Sequence, residues 1–122
     1  MISPSLPAEC EAIAAITRSV GLFSEEEVNT VYELFDQYAR DPACGYNFLS
    51  FRAGVSSPGN RLLGYACWGP TPLAPGVFDL YWICAQRASI GQGVGAGLFQ
   101  QIEAEIRALN GRLLMIWTSG SP

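Results

Sequence analysis

The segment "VFDLYWICA" (77–85) sets a carboxylate, Asp79, two residues before a phenol, Tyr81. On a strand that spacing puts both side chains on one face, where one group can take a proton and the other can give one. The plainer reading, two polar residues on an outer strand face, stands beside it. A few residues downstream, "IGQGVGAGL" (90–98) carries Gly91, Gly93, Gly95 and Gly97 between an apolar strand pattern and an amphipathic helix pattern. Glycine lets a backbone take positive φ and approach a ligand closely. A helix that starts behind such a loop offers bare N–H groups and the positive end of its dipole, a combination that holds phosphate. Residues 90–96 are therefore the candidate anion-binding loop.

Other chemistry is removed by what the chain lacks. Its 122 residues include no His and, among seven basic residues, only arginines. Catalysis by Ser-His-Asp or Cys-His pairs, His-ligated metal sites and lysine Schiff bases are all excluded. Cys10, Cys44, Cys67 and Cys84 are widely spaced and form no CxxC. They are expected as reduced core thiols, and no metal site is expected. The length fits one domain, 1–122, and 49% apolar against 15% charged residues fits a packed core rather than disorder. Eight carboxylates and two arginines fall in residues 1–45, whereas residues 46–122 have three carboxylates and five arginines. The glycine-rich half is thus mildly cationic, but no basic stripe points to nucleic acid. No apolar run reaches membrane-spanning length, and the N-terminus lacks a signal-peptide pattern, so a cytoplasmic chain without membrane contact is expected.

The elements that must position these residues follow from periodicity. "PAECEAIAAITRSVG" places Ile13, Ile16 and Val20 on one helical face and ends at Gly21. In the next helix Ser24 and Glu27 form a capping box, Phe23 can staple onto Val28, and Val28, Val31, Phe35 and Tyr38 make the buried stripe before Asp41-Pro42 stops it. "YNFLSFRAGV" (46–55) and "RLLGYACWG" (61–69), joined by "SSPGN", read as an antiparallel hairpin. "PTPLAPG" (70–76) is a loop, and 77–85 is a third strand. A third helix pattern puts Leu98, Ile102, Ile106 and Leu109 on one face and closes at Asn110-Gly111. "RLLMIWTS" (112–119) is apolar on both faces, as an interior strand is. The order is ααβββαβ, the last β-α-β step parallel. Trp68, Trp82 and Trp117 could line a pocket, although core packing is the commoner use.

Gly91, Gly93 and Ala96 satisfy the dinucleotide pattern G-x-G-x-x-G/A, but three strands precede it and no acidic residue follows in the next strand, against that reading. "LYWICAQRASIGQGVGAGLFQQIE" (80–103) instead resembles the acetyl-CoA signature of the GNAT superfamily of N-acetyltransferases. Gly91-Gln92-Gly93-Val94-Gly95-Ala96-Gly97-Leu98 fits its glycine core without a gap, and the hairpin, the Pro-rich loop and "LLMIWTS" look like its middle strands and fifth strand. The resemblance implies an α+β (α/β), acyl-CoA N-acyltransferase-like fold, a mixed, mostly antiparallel sheet flanked by helices. In the order seen here, the last helix and two strands of that fold are lacking, which reads as a C-terminally truncated, incomplete domain.

It also implies acetyl-CoA as co-substrate. The pyrophosphate would lie on Ile90, Gly91, Gln92, Gly93, Val94, Gly95 and Ala96. The pantetheine arm would pair with the main chain of Ile83, Cys84 and Ala85, where the strand splays from its parallel neighbour. An amine of unknown identity, on a small molecule or a protein, would attack the thioester directly. Three positions depart from the pattern. Ile90 stands where the family has Gln or Arg, Ala85-Gln86-Arg87 replaces V-x-P, and Leu80 occupies the place of a catalytic Glu in some relatives. Tyr81 and Asp79 are the remaining catalytic candidates. The alternative is a non-catalytic CoA-binding or assembly module, a remnant of such an enzyme. The apolar strand 112–119, with nothing after it to lie alongside, is expected to make the chain self-associate as a homo-oligomer, or aggregate.

Overall fold

The computed structural model describes residues 2–21, 23–41, 44–53, 62–71, 74–86, 91, 93–111 and 113–116. A short strand β1 (Ile2–Pro4) leads through a 3-10 turn (Pro7–Glu9) into helices α1 (Cys10–Val20) and α2 (Glu25–Arg40). Strands β2 (Asn47–Arg52), β3 (Leu62–Pro70) and β4 (Val77–Ala85) follow, then helix α3 (Val94–Ala108) and strand β5 (Leu113–Ile116). The expected order is present, with one strand added ahead of it. The sheet runs β1-β2-β3-β4-β5, antiparallel throughout except for the parallel β4–β5 pair. Among the described residues no helix is long and apolar enough to cross a membrane.

Each face of the sheet has its own core. On one side Ile13 and Ile16 of α1 and Val31 and Phe35 of α2 pack on Phe48, Tyr65, Cys67 and Cys84. On the other, Val94, Leu98, Ile102 and Ile106 of α3 pack on Leu49, Ala66, Trp68, Phe78 and Leu80. The helix ends are as the sequence implies. Gly21 closes α1 at φ +77°, and the Ser24 hydroxyl accepts from Glu27 N–H while the Glu27 carboxylate accepts from Ser24 N–H. Leu109 departs from the expected stripe, being 61% exposed. The helix stops at Ala108, and the chain turns at Asn110 (φ +59°) before the next inward position is reached. All four cysteines are free; Cys67 and Cys84 are buried as expected, whereas Cys10 and Cys44 are half-buried.

β1 was not foreseen because nothing local makes it. Its three residues form a strand only by pairing with Leu49–Phe51, far along the chain. Its anchor is ionic. Arg52 Nε and Nη2 donate to the two carboxylate oxygens of Glu9 at 2.8 and 2.6 Å, and Arg52 also donates to Ser3 Oγ and to Pro4 O. Glu9 Oε1 accepts further from Ser50 Oγ and Leu6 N–H.

Candidate functional site

The site is built around the end of β4. The pairing of β4 with β3 shifts register between Cys67 and Trp68, so that Trp82 lies opposite Cys67 and Leu80 opposite Trp68, with Tyr81 as the extra residue. A bulge of this kind breaks the strand's alternation. Leu80 therefore packs under α3, whereas Tyr81 and Trp82 both lean on the α1/α2 side, and Ile83 and Ala85 return to the α3 side. Pairing of β4 with β5 covers only Val77–Leu80. From Trp82 to Ala85 the strand stays paired with β3 on one flank, while its other flank has no strand partner among the described residues. Residues 117–119, next in register along β5, lie outside the described residues, and with them the splay expected at Ile83, Cys84 and Ala85. Burial pushes the Cys84 thiol up to about 11, partly offset by a hydrogen bond with Tyr65, so this residue offers its backbone rather than a thiolate.

Beyond Gln86 the loop reaches α3 through two glycines in the left-handed region, Gly91 at φ +90° and Gly93 at φ +79°. Gly93 caps the helix with no side-chain bond, and the first turn of α3 has no acidic residue. The start of α2 is the opposite, with Ser24 as its cap and three glutamates in its first turn. The first bond inside α3 runs from Gly97 N–H to Gly93 O at 2.9 Å. The N–H groups of Val94, Gly95 and Ala96 thus precede the helix's own ladder. A Cβ placed on Gly91, Gly93 or Gly95 would meet nothing within 4 Å among the described residues. These donors stand at the positive end of the helix dipole. Ile90 and Gln92 lie outside the described residues.

Asp79 and Tyr81 come together as expected. The Tyr81 hydroxyl donates to Asp79 Oδ2 at 3.4 Å, and Asp79 is only 7% exposed. Burial first, then the charge of Asp79 and the nearby Tyr46, push the Tyr81 hydroxyl up to about 12. It remains protonated at neutral pH and can donate a proton but not accept one. Sequence reasoning missed Tyr46, whose ring meets Tyr81 edge-on at 5.7 Å between centroids. Nothing local marks it, because the contact joins the residue before β2 to the bulge of β4. Also missed was a cavity of about 330 Å³ between α1 and the ends of β3 and β4, lined by Ala12, Ala15, Ile16, Ser19, Leu62 and Gln86. Trp68 is a core residue against Phe78, Trp82 is half-buried beside Tyr81, and Trp117 lies outside the described residues. No group of His, Cys, Asp or Glu among the described residues could hold a metal ion.

No family model and no curated protein matches this chain. Solved structures do. The chain is 33% identical to a protein from Desulfovibrio desulfuricans assigned to the GNAT family of acetyltransferases, with a TM-score of 0.85 over 99% of this chain and 74% of that one. A GNAT-family acetyltransferase from Brucella melitensis, solved in complex with acetyl-CoA, shares the fold at 20% identity and a TM-score of 0.69, covering 98% of this chain and 75% of that one. A ribosomal-protein-alanine N-acetyltransferase from Brucella melitensis biovar Abortus 2308 shares it at 13% identity and a TM-score of 0.70, over 100% and 83%. With a third of its residues identical to a GNAT-family structure along nearly its whole length, and the same fold, the chain belongs to the GNAT family of acetyltransferases.

Proposed function

We propose that the chain is an acetyl-CoA-dependent N-acetyltransferase that passes the acetyl group to an amine by direct attack. The observation that carries this is the start of α3. It is a helix with no side-chain cap and no acid in its first turn, reached through two left-handed glycines after strand β4. Such an arrangement suits a ligand with both a pyrophosphate and an extended amide-bearing arm, which coenzyme A combines. The N–H groups of Gly93, Val94, Gly95 and Ala96 would bind the phosphates, and the main chain of Ile83, Cys84 and Ala85 would hold the arm. Bound acetyl-CoA supplies the thioester. The chain's own part is to bring the amine to it, to remove the amine's proton and to protonate the departing sulfur. Asp79 is assigned as the proton acceptor. Tyr81, protonated and hydrogen-bonded to Asp79, is assigned as the donor. Tyr46 forms a wall of the acceptor side.

The test is amine-dependent release of free thiol from acetyl-CoA across a panel of small amines and peptides. Asp79→Asn is expected to lower kcat by about 10²–10⁴-fold, the range for a positioned acid or base, with KM for acetyl-CoA little changed. Tyr81→Phe should lower kcat too. Because the Tyr81 hydroxyl titrates only near pH 12, its removal should leave the rate profile between pH 6 and 9 unchanged in shape. Full activity in Asp79→Asn would remove that residue from the chemistry.

A further inference from the structure

Gly64 lies inside β3, opposite Ala85 of β4. It is not among the residues of positive φ, so the requirement there is for room and not for backbone freedom. A Cβ on Gly64 would stand 2.5 Å from Val94 Cγ1, 2.7 Å from Cys84 O and 3.4 Å from Ala85 Cα. Neither of the first two atoms can yield cheaply. Cys84 O belongs to the sheet backbone. Val94 is β-branched, buried and on a helix, where one χ1 rotamer dominates.

The two segments met at this point are the end of β4 and the first residue of α3. They are the walls assigned above to the arm and to the phosphates of coenzyme A. We propose that Gly64 is a positioning residue for cofactor binding: its missing side chain lets the N-terminal turn of α3 seat against the end of β4. A methyl group at Gly64 would push these walls apart, moving the N–H groups of Val94, Gly95 and Ala96 relative to the main chain of Ile83–Ala85. The inference rests on the cofactor placement proposed above. It adds a residue that touches no part of the ligand.

Gly97 supplies the comparison. It lies one turn further along α3, and a Cβ there would meet Phe51 Cε2 at 3.0 Å and Ile2 Cδ1 at 3.5 Å. Both are ends of half-buried side chains that can move aside, and Gly97 lies outside the set of phosphate-facing N–H groups.

The experiment is calorimetric titration of CoA into the parent chain, Gly64→Ala, Gly97→Ala, Val94→Ala and the double variant Gly64→Ala/Val94→Ala. Thermal melts and amide hydrogen exchange accompany it. Gly64→Ala is expected to bind CoA at least about tenfold more weakly, as small misplacements of binding groups do, with faster exchange at Gly97 N–H. Gly97→Ala should stay within about twofold of the parent. In the Val94→Ala background the Gly64 substitution should cost less, since one of its two close contacts is gone; contacting residues couple in this way. That background also keeps the test open if Gly64→Ala alone does not fold. A folded Gly64→Ala that binds CoA like the parent, or losses that simply add in the double variant, would overturn the role of Gly64 alone. A parent chain that binds no CoA would overturn the cofactor reading and this role with it.

Discussion

Gly93→Val should bind CoA at least about 100-fold more weakly than the parent while still unfolding cooperatively, a difference of about 3 kcal/mol in binding. Two effects add. Gly93 sits at φ +79°, where an L-residue costs roughly 1–2 kcal/mol and a β-branched one more. The loop would relax toward negative φ and turn its N–H groups away from their common focus. In addition, a Cβ on Gly93 would meet nothing within 4 Å among the described residues and would stand where the proposed phosphates lie. Gly95→Ala separates the two effects. Gly95 is not among the residues of positive φ, and its Cβ also meets nothing. Alanine there relieves about 1 kcal/mol of helix-forming cost, so it should raise the melting temperature slightly while hindering only the ligand. Calorimetry with CoA, beside a thermal melt, reads both. Parent-like affinity in a folded Gly93→Val would show that the glycine loop does not hold the cofactor.

The loop was legible in the sequence because its requirements are local. A strand, glycines at spaced positions and an amphipathic helix can all be read within 24 residues (80–103). The helix caps and both core stripes were readable for the same reason, since Ser24 and Glu27, or Leu98 and Ile102, are one turn apart. What escaped depends on pairing across the sheet. Strand β1 exists only through Phe51, Ser50 and Leu49. The bulge that turns Tyr81 beside Trp82 exists only in the register of β4 against β3, and a sequence period of two cannot reveal where it breaks. Tyr46 meets Tyr81 from just ahead of β2, and Gly64 shows its purpose only once Val94 is folded over it. Asp79 and Tyr81 were found from spacing alone because both lie on the same side of the bulge that separates Tyr81 from Trp82. Of the cofactor residues carried over from the family, Ile83, Cys84, Ala85, Gly91, Gly93, Val94, Gly95 and Ala96 are described, and Val94 packs in one cluster with Ile83 and Ala85.

Arg52 and Glu9 show the same distance effect in the energetics, and breaking them should give the largest loss of stability. Their side chains are 9% and 14% exposed and meet through two charge-assisted bonds, 2.8 and 2.6 Å long. Burial works to raise the Glu9 carboxyl, but hydrogen bonds from Arg52, Leu6 N–H and Ser50, with the Arg52 charge, outweigh it and hold it below its ordinary value. Glu9→Gln keeps the shape and removes the carboxylate charge that meets the buried Arg52 guanidinium. Such losses run to about 3–5 kcal/mol, so the melting temperature should fall by roughly 10 °C or more at pH 7. Replacing both, as Glu9→Gln with Arg52→Met, should recover part of the loss, because no buried charge then remains. Since the folded-state value of Glu9 is depressed, its contribution is fully present above the unfolded carboxyl range, near pH 4.3. It is lost as the pH falls through the folded-state value. The gap between parent and Glu9→Gln should therefore be widest at neutral pH and should narrow in acid. Melting curves of the three proteins at pH 7, 5 and 3 provide the measurement. A Glu9→Gln variant that melts with the parent at pH 7, or a gap that does not narrow at pH 3, would show that the N-terminal strand is held by its backbone pairing and not by this ion pair.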